Sequence, residues 1–349
     1  MKNPLLKTML ILTVIFLITG NMLVHAQKRG RSERTIEPFV WLQTGLLNED
    51  GDDNHPSFIF KRARFGLAGK AAEKVDYHFM VEAIHGAEFD PKLYQAWVSY
   101  RLDRDFSLRV GQFRYPFGIE AYPGFPFWKF IDPSYVTNGI VRELGRKNPG
   151  EPSGIYRDIG IEIAGHHRFD RDYSAGYKFM IMNGNGINTT DDNDNKDFVF
   201  HGNLQTPGNV GLGISFYSGA YDEPGETSSS SENAFGFDFV WNGEINNRDL
   251  RIQGELMAAV YDTRGSDPEP WGYYVYGTYF FTRKIELGMR YDFYEPDELE
   301  PAVEDYKRVT LLFGYNIAKD QIIRINLDMI DDESDDIEYV FQLLCQIAI

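Results

Sequence analysis

Apolar and polar residues alternate one by one along most of this chain, and this pattern limits the folds open to it more than any other feature. In LRIQGELMAAVY, residues 250–261, one face of an extended chain is apolar throughout, while the other carries Arg251, Gln253 and Glu255. The segments KIELGMRYDF (284–293) and IIRINLDMI (322–330) alternate in the same way. A helical repeat of 3.6 residues would scatter these side chains, so the pattern predicts β-strands with one apolar and one polar face.

Such segments number about sixteen and predict an all-β protein. They lie roughly at 36–46, 57–70, 74–85, 92–102, 105–114, 158–168, 172–183, 196–205, 209–218, 234–243, 249–261, 272–282, 284–294, 306–316, 321–330 and 337–349. Short connections, such as Asp170-Arg171, alternate with long ones, such as SGAYDEPGETSSSSEN (218–233). This asymmetry is typical of transmembrane antiparallel β-barrels of bacterial outer membranes, which have short periplasmic turns, long external loops and an even number of strands.

A soluble, secreted β-sandwich or barrel is the alternative fold. It would bury its apolar faces against a second sheet, yet nearly every segment here has a charged opposite face. A sandwich of this length would also be divided by linkers, and the candidate linkers at 228–231 and 331–336 fall between strand segments, as loops do. The prediction is therefore one outer-membrane β-barrel over residues 36–349.

The N-terminus predicts export. It has two lysines, an apolar run over residues 9–18 and the small-residue site Val24-His25-Ala26. This order is typical of a cleaved signal peptide, expected at residues 1–26, followed by a periplasmic leader at residues 27–35. A membrane-anchoring helix is the alternative, but the apolar run is shorter than the roughly 20 residues that such a helix needs.

The net charge and the residue types argue against several classes of partner and site. A formal net charge of -17 argues against nucleic acid, whose phosphates require a basic surface. Outer-membrane lipid and lipopolysaccharide are the expected surroundings. The histidines are scattered and no G-x-S-x-G motif is present, so we predict no catalytic residue, cofactor or metal site. A barrel enzyme or a structural surface protein remains an alternative, and the acidic segment 191–197 is interpreted as a solvated loop.

The link at 115–157, between the fifth and sixth predicted strands, is by far the longest. Its position places it on the external side, but the stretch GQFRYPFGIEAYPGFPFWKFIDPSYV (111–136) is too apolar for a loop in water. We expect it to fold into the barrel as a constriction loop in which prolines fix irregular backbone. A loop that covers the mouth or contacts a neighbouring subunit is the alternative. The side chains expected to pack inside are Phe117, Phe125, Phe127, Trp128 and Phe130.

Several segments together resemble the phosphate-selective porin O and P family, including its Bacteroidetes-type relatives. They are RARFGLAGKAAEKVDYHFMVEA (62–83), LYQAWVSYRLDRDFSLRVGQFRYPFGIE (93–120) and RDIGIEIAGHH (157–167). The resemblance implies a sixteen-stranded outer-membrane channel, usually trimeric, whose third external loop forms the constriction. It also implies passive diffusion of small anions, such as phosphate, rather than enzyme activity.

In this family, selectivity is attributed to inward basic residues near the constriction. The alternation directs arginines of the early strands into the lumen, and Lys129 lies inside the loop. These candidate channel residues are Arg62, Arg64, Arg101, Arg109 and Lys129. Inward acids such as Glu82 offer them partners, and Asp132 stands where relatives often carry a basic residue, so a weakly selective general diffusion porin is the alternative.

The alternation of short and long connections predicts the topology. An epitope tag inserted at Ser229 or Asn193 should bind antibody on intact cells, because both positions fall in predicted external loops. A tag at Pro207, in a predicted periplasmic turn, should bind antibody only after the outer membrane is permeabilised. Labelling of the Pro207 tag on intact cells would contradict the strand count or the orientation.

Overall fold

The computed structural model describes residues 34–49, 55–85, 88–123, 128–144, 156–191, 195–222, 229–262, 267–296, 305–331 and 337–349. The predicted signal peptide and most of the predicted leader lie outside these residues. In the part of the chain that is described, no helix is long and apolar enough to span a bilayer.

Sixteen antiparallel strands close into a barrel in chain order, with the first strand paired to the last. The strands are β1 Glu37–Glu49, β2 Ser57–Ala72, β3 Val75–His85, β4 Glu88–Arg101, β5 Phe106–Arg114, β6 Arg157–Arg168, β7 Ser174–Met182, β8 Asp197–Thr206, β9 Val210–Asp222, β10 Ser229–Ile245, β11 Arg248–Asp262, β12 Trp271–Phe280, β13 Ile285–Glu295, β14 Tyr306–Ala318, β15 Gln321–Asp331 and β16 Glu338–Ala348. Two short helical segments, Thr137–Val141 and Pro207–Asn209, complete the described elements. The predicted fold class is confirmed.

The two faces of the wall differ as the alternation predicts. On β11, Leu256 and Val260 are exposed on the outer face, where lipid would contact them, whereas Gln253 and Glu255 are buried on the inner face. Each backbone N–H and C=O of a strand has partners on both sides in a closed sheet, so none is left for the bilayer to solvate.

Tight turns join the strands at one end of the barrel. Between β10 and β11 the turn residues Asn246 and Asn247 have φ values of 52° and 57°. Two consecutive left-handed residues match the twist of a two-residue hairpin, and asparagine tolerates this conformation better than most residues. Asp320 has a φ of 59° in the turn between β14 and β15.

The hydrophobic core of the protein lies inside the barrel and is built largely by the link between β5 and β6. Residues 115–123 and 128–144 of this link lie within the lumen, and Phe117, Trp128 and Phe130 are buried there against residues of the wall. The remaining predicted packing residues, Phe125 and Phe127, lie outside the described residues. The interior placement of this third external loop agrees with the sequence prediction.

One β-bulge changes which side chains of β2 face the lumen. Gln43 of β1 is opposite Arg62, and the next residue, Thr44, is opposite Phe60, so Lys61 is an extra residue in β2. A bulge of this kind lets two successive residues lie on the same side of the sheet. Both Lys61 and Arg62 therefore point into the barrel, where Lys61 contacts Gln342 of β16 and Arg62 contacts Gln43.

The bulge generates a prediction about deletions. Removing Lys61 should leave a regular β2 whose outer face is unchanged, so the barrel should fold and keep its heat-modifiable mobility in SDS gels. Removing Asn326 should prevent folding, because β15 pairs with both neighbours without a break at this position. The deletion would move the inward side chains of half of that strand to the lipid face. An arginine exposed there in mid-bilayer costs about 2–4 kcal/mol. Equal folding of the two deletion variants would contradict the assignment of the bulge.

Candidate channel constriction

Carboxylates of the wall hold the first part of the loop. Glu255 of β11 accepts hydrogen bonds from the backbone N–H groups of Ile119 at 2.9 Å and Glu120 at 2.6 Å. The hydroxyl of Tyr274 donates to the same carboxylate at 2.6 Å. The backbone N–H of Gly118 donates to Ser215 Oγ at 2.9 Å. These contacts satisfy irregular backbone that neither water nor a neighbouring strand reaches.

A buried cluster centred on Asp292 and two arginines holds the second part. Asp292 of β13 accepts from the backbone N–H of Tyr135 at 2.8 Å and pairs with Arg290 at 2.9 Å and Arg308 at 2.8 Å. The two arginines in turn donate to loop carbonyls, Arg290 to that of Asp132 at 2.9 Å and Arg308 to that of Pro133 at 2.7 Å. Buried charges persist only when paired and hydrogen-bonded, and here the loop backbone completes the set.

The middle of the loop contacts the same side of the barrel. The ammonium group of Lys129 lies 2.5 Å from Glu286 of β13. The ring of Phe130 packs edge to face on Tyr276 with centroids 5.4 Å apart, and the guanidinium of Arg290 lies 4.7 Å from the Phe130 centroid. The acids of β11 and β13 at this level are therefore engaged by the loop.

A further contact joins the loop to β2 and β16. Asp132 Oδ1 lies 2.6 Å from the ammonium of Lys61, and the amide of Gln342 donates to Asp132 Oδ2 at 2.8 Å. Burial raises the pKa of Asp132, but the charge of Lys61 outweighs this effect, and the net result is a pKa well below the ordinary value. The carboxylate of Asp132 is therefore ionised at neutral pH.

The wall of β2, β4, β5 and β6 is rich in arginine and aromatic side chains. Tyr94 lies between Arg64 and Arg157, whose guanidinium carbons are 5.2 and 4.7 Å from its ring centroid. Arg109 lies 4.7 Å from the Trp97 centroid and 3.5 Å from Glu162. The negative face of an aromatic ring attracts a cation, so these rings help to stabilise the arginine charges.

The predicted channel residues occupy different environments. Arg64 is 3% exposed and pairs with Glu82 at 2.5 Å, so it belongs to the packed wall. Arg62, Arg109 and Lys129 remain partly exposed at the level of the loop. Arg101 stands at the periplasmic end of β4 and pairs with Asp76 at 3.0 Å, which corrects its expected position beside the loop.

Sequence reasoning missed four basic residues of this region: Lys61, Arg114, Arg157 and Arg308. The outer face changes phase between Phe60 and Phe65, and this change was the available signal for Lys61. Arg308 follows the regular alternation of β14, with Thr310 and Leu312 on the same face. Arg114 and Arg157 pair across β5 and β6 at the points where the loop leaves and returns. At such strand ends an alternation pattern has too few residues to assign a face.

Two recesses open in the inner wall near the periplasmic strand ends. One, of about 410 Å³, is lined by residues that include Arg101, His166 and Lys178. The other, of about 560 Å³, is lined by residues that include Lys129 and Arg251. The ammonium of Lys178 also lies 3.9 Å from the ring centroid of Tyr122 in the loop, which places partly exposed cations next to the loop and along the inner wall.

A serine, a histidine and an aspartate that sequence spacing did not reveal meet inside the barrel. Ser215 Oγ lies 3.0 Å and Asp238 Oδ2 lies 3.7 Å from the same atom, His201 Nδ1. A catalytic triad needs the serine and the acid on opposite ring nitrogens. Ser215 also accepts the N–H of Gly118, so this group tethers the loop and lacks the geometry of a proton relay.

The acidic segment 191–197 is only partly described, because residues 192–194 lie outside the described residues. Lys196 forms an ion pair with Asp191. Asp197 is buried and accepts a hydrogen bond from the hydroxyl of Tyr217 at 2.5 Å, which corrects its expected place in a solvated loop. Over the part of the chain that the structure describes, no cluster of His, Cys, Asp and Glu side chains is suited to hold a metal ion.

Comparison with known proteins agrees with this architecture. The sequence profile of the family "phosphate-selective porin O and P" matches residues 41–142. No curated protein sequence gives a significant match.

Solved structures with the same fold are outer-membrane proteins. An anion-selective porin from Comamonas acidovorans superposes with a TM-score of 0.66 at 13% identity, covering 91% of this chain and 100% of that one. The trimer form of OmpT from Vibrio cholerae gives 0.61 at 12% identity, covering 90% and 99%. The outer-membrane channel DcaP of Acinetobacter baumannii gives 0.58 at 12% identity, covering 90% and 97%. At these identities the likeness shows the porin fold.

The tether at Gly118 generates a prediction with a matched control. Gly118 has a φ of 68°, and a Cβ there would lie 2.3 Å from Glu255 Oε2. Gly208 has a φ of 77° with nothing within 4 Å of an added Cβ. Both alanine variants suffer about 1–2 kcal/mol of backbone strain, but only Gly118→Ala disturbs the loop contact. Gly118→Ala should raise single-channel current noise and conductance in planar bilayers, and Gly208→Ala should match the parent. Identical recordings from all three proteins would contradict the tether.

Proposed function

We propose that this chain is a member of the phosphate-selective porin O and P family, whose profile matches residues 41–142, and that it forms a water-filled outer-membrane channel for passive diffusion of small anions. The porin barrel supplies the closed wall, and the inward loop supplies the constriction. Phosphate is included among the proposed solutes, because an oxyanion matches the planar donor fork of arginine.

The observation that carries the proposal is the unequal charge of the two sides of the lumen. On the side of β11 and β13, the carboxylates of Glu255, Glu286 and Asp292 are taken up by loop N–H groups, Lys129 and buried arginines. On the side of β2 to β6, basic residues outnumber acids at the level of the loop among the residues that the structure describes. The bases are Lys61, Arg62, Arg64, Arg109, Arg114 and Arg157, and the acids are Glu82, Asp132, Asp158 and Glu162.

The excess of basic side chains favours anions because it lies in a narrow passage. In a narrow passage with walls of low dielectric constant, fixed charges are screened less than in bulk water. A permeating anion that sheds part of its hydration needs replacement donors, and partly exposed Arg62 and Arg109 provide them. The described carboxylates named above already bind the loop or other groups of the protein, which weakens their attraction for a permeating cation.

A weakly selective general diffusion porin is the second candidate function, and specific contacts favour it. Arg64 pairs with Glu82, Arg109 pairs with Glu162 and Lys61 pairs with Asp132. Each pair lowers the field that a solute meets, so the two candidate functions differ in how much cationic charge remains effective.

The proposed setting includes export by the signal peptide, insertion among outer-membrane lipid and lipopolysaccharide, and assembly as a homotrimer. The apolar outer face supports contact with lipid. The trimer form of the Vibrio cholerae protein with this fold supports the proposed assembly.

Replacement of the accessible arginine tests the function. Arg62→Ala should lower the anion-to-cation permeability ratio about fivefold, since removing a charge near the passage changes the ion energy by about 1 kcal/mol. The measurement is the single-channel reversal potential under a salt gradient. The matched control is Arg64→Ala with Glu82→Gln, which removes a buried pair without changing net charge and should shift the potential less.

The double variant Arg62→Ala with Arg64→Ala should shift furthest towards cations, because it also leaves Glu82 unpaired beside the passage. Addition of Glu82→Gln should reverse part of that shift. A parental reversal potential in all of these variants would favour the general diffusion porin.

A further inference from the structure

The contact of Asp132 with β2 and β16 is more exposed than the buried cluster around Asp292. The side chains of Lys61 and Asp132 are 17% and 30% exposed, whereas those of Asp292 and Arg290 are fully buried. Water and small solutes therefore reach the Lys61–Asp132 pair from the lumen. Solvent contact weakens an ion pair relative to a fully buried one.

Each oxygen of the Asp132 carboxylate contacts one side-chain donor. Lys61 Nζ contacts Oδ1 at 2.6 Å, and Gln342 Nε2 contacts Oδ2 at 2.8 Å. Lys61 also donates to Gln342 Oε1 at 3.0 Å, which fixes the two donors relative to each other. Asp328 Oδ2 accepts from Gln342 Nε2 at 3.2 Å and orients the same amide.

The position of these donors depends on the bulge in β2. Because Lys61 is the extra residue, it and Arg62 both project into the lumen, and two positive charges meet at one point of the wall. Like charges on adjacent side chains repel, so an anion beside them is favoured. The carboxylate of Asp132 meets that requirement from within the chain.

The loop backbone beside this carboxylate has partners of its own. The backbone carbonyls of Asp132 and Pro133 are held by Arg290 and Arg308, and the backbone N–H of Tyr135 is held by Asp292. Loss of the side-chain contacts of Asp132 would leave these backbone contacts unchanged. The carboxylate of Asp132 is thus a tethered anion at high local concentration beside a solvent-accessible cationic site.

We propose that Lys61 and Gln342, with Arg62 beside them, form an oxyanion-binding station in the channel, and that Asp132 occupies this station as an internal competitor. A permeating phosphate or carboxylate displaces Asp132, takes the donors of Lys61 and Gln342, and is released when the tethered carboxylate returns. This competition would keep residence times short, which conduction requires. The proposal rests on the proposed anion channel and names its binding site.

The test removes the negative charge of Asp132 while keeping the size of its side chain. In Asp132→Asn the charge is lost, so inorganic phosphate added to a chloride bath should block the single-channel current at a concentration about fivefold lower than in the parent. The matched control is Asp172→Asn in an exposed periplasmic turn, which changes net charge equally and should leave the half-blocking concentration unchanged. Acetate titrated in the same way distinguishes carboxylate from phosphate as the preferred oxyanion.

A second variant removes the station. Lys61→Gln should abolish the gain when it is combined with Asp132→Asn, because the cationic donor is gone. If Lys61→Gln does not insert, Gln342→Leu removes the other donor, and the combination should again lose the gain.

An unchanged half-blocking concentration in Asp132→Asn, with a parental reversal potential that still reports anion preference, would overturn the station while leaving the anion channel standing. A parental reversal potential that reports no anion preference would instead contradict the proposed function itself. A gain that survives loss of Lys61 and Gln342 would place the binding site elsewhere and also overturn the proposal.

Discussion

The hydrogen-bonding demand of the backbone in lipid governs the rest of this structure. No water is present in the bilayer core, so every N–H and C=O that crosses it needs a partner in the protein. Sixteen strands meet the demand by closing on themselves, and the pairing of Trp41 with Ala348 and of Glu49 with Val340 completes the ring. Once the wall is closed, its outer face is committed to lipid and its inner face is left for polar chemistry.

The inner face supplies the hydrogen-bond partners that water would supply to an exposed loop. The irregular backbone of the inward loop would be costly to bury without partners, and wall carboxylates such as Glu255 and Asp292 provide acceptors for its N–H groups. Burying these carboxylates is in turn possible because Arg290, Arg308 and loop N–H groups surround them. The loop and the acidic side of the barrel therefore stabilise each other, and the opposite side keeps a cationic excess.

A local irregularity of one strand places two basic residues of the candidate site. In a regular β2, Lys61 and Arg62 would face opposite sides of the sheet, and one of them would meet lipid. The bulge brings both to the lumen and places Lys61 within reach of Asp132. Bulges are common beside functional sites because they redirect a side chain without breaking the sheet.

The positions of the strands were determined by the sequence itself. The sixth strand, predicted at 158–168, is observed as Arg157–Arg168, and the fifteenth, predicted at 321–330, as Gln321–Asp331. This agreement follows because lipid on one face and polar surroundings on the other act on each residue locally and impose the alternation directly. The number of strands, their order and the long inward link follow from the same local pattern.

The partners of the charged residues were decided only by the tertiary structure. The sequence predicts that Arg62, Arg64 and Arg109 face the lumen, but it does not show that Arg64 is buried against Glu82 or that Lys61 meets Asp132. Those contacts depend on the register of β2 and on where the loop crosses the lumen, and both are set by closure of strands far apart in the chain. Whether an inward charge is neutralised by the wall or remains available to a solute is a property of that long-range arrangement, because electrostatic energy depends on distance in space rather than on separation along the sequence.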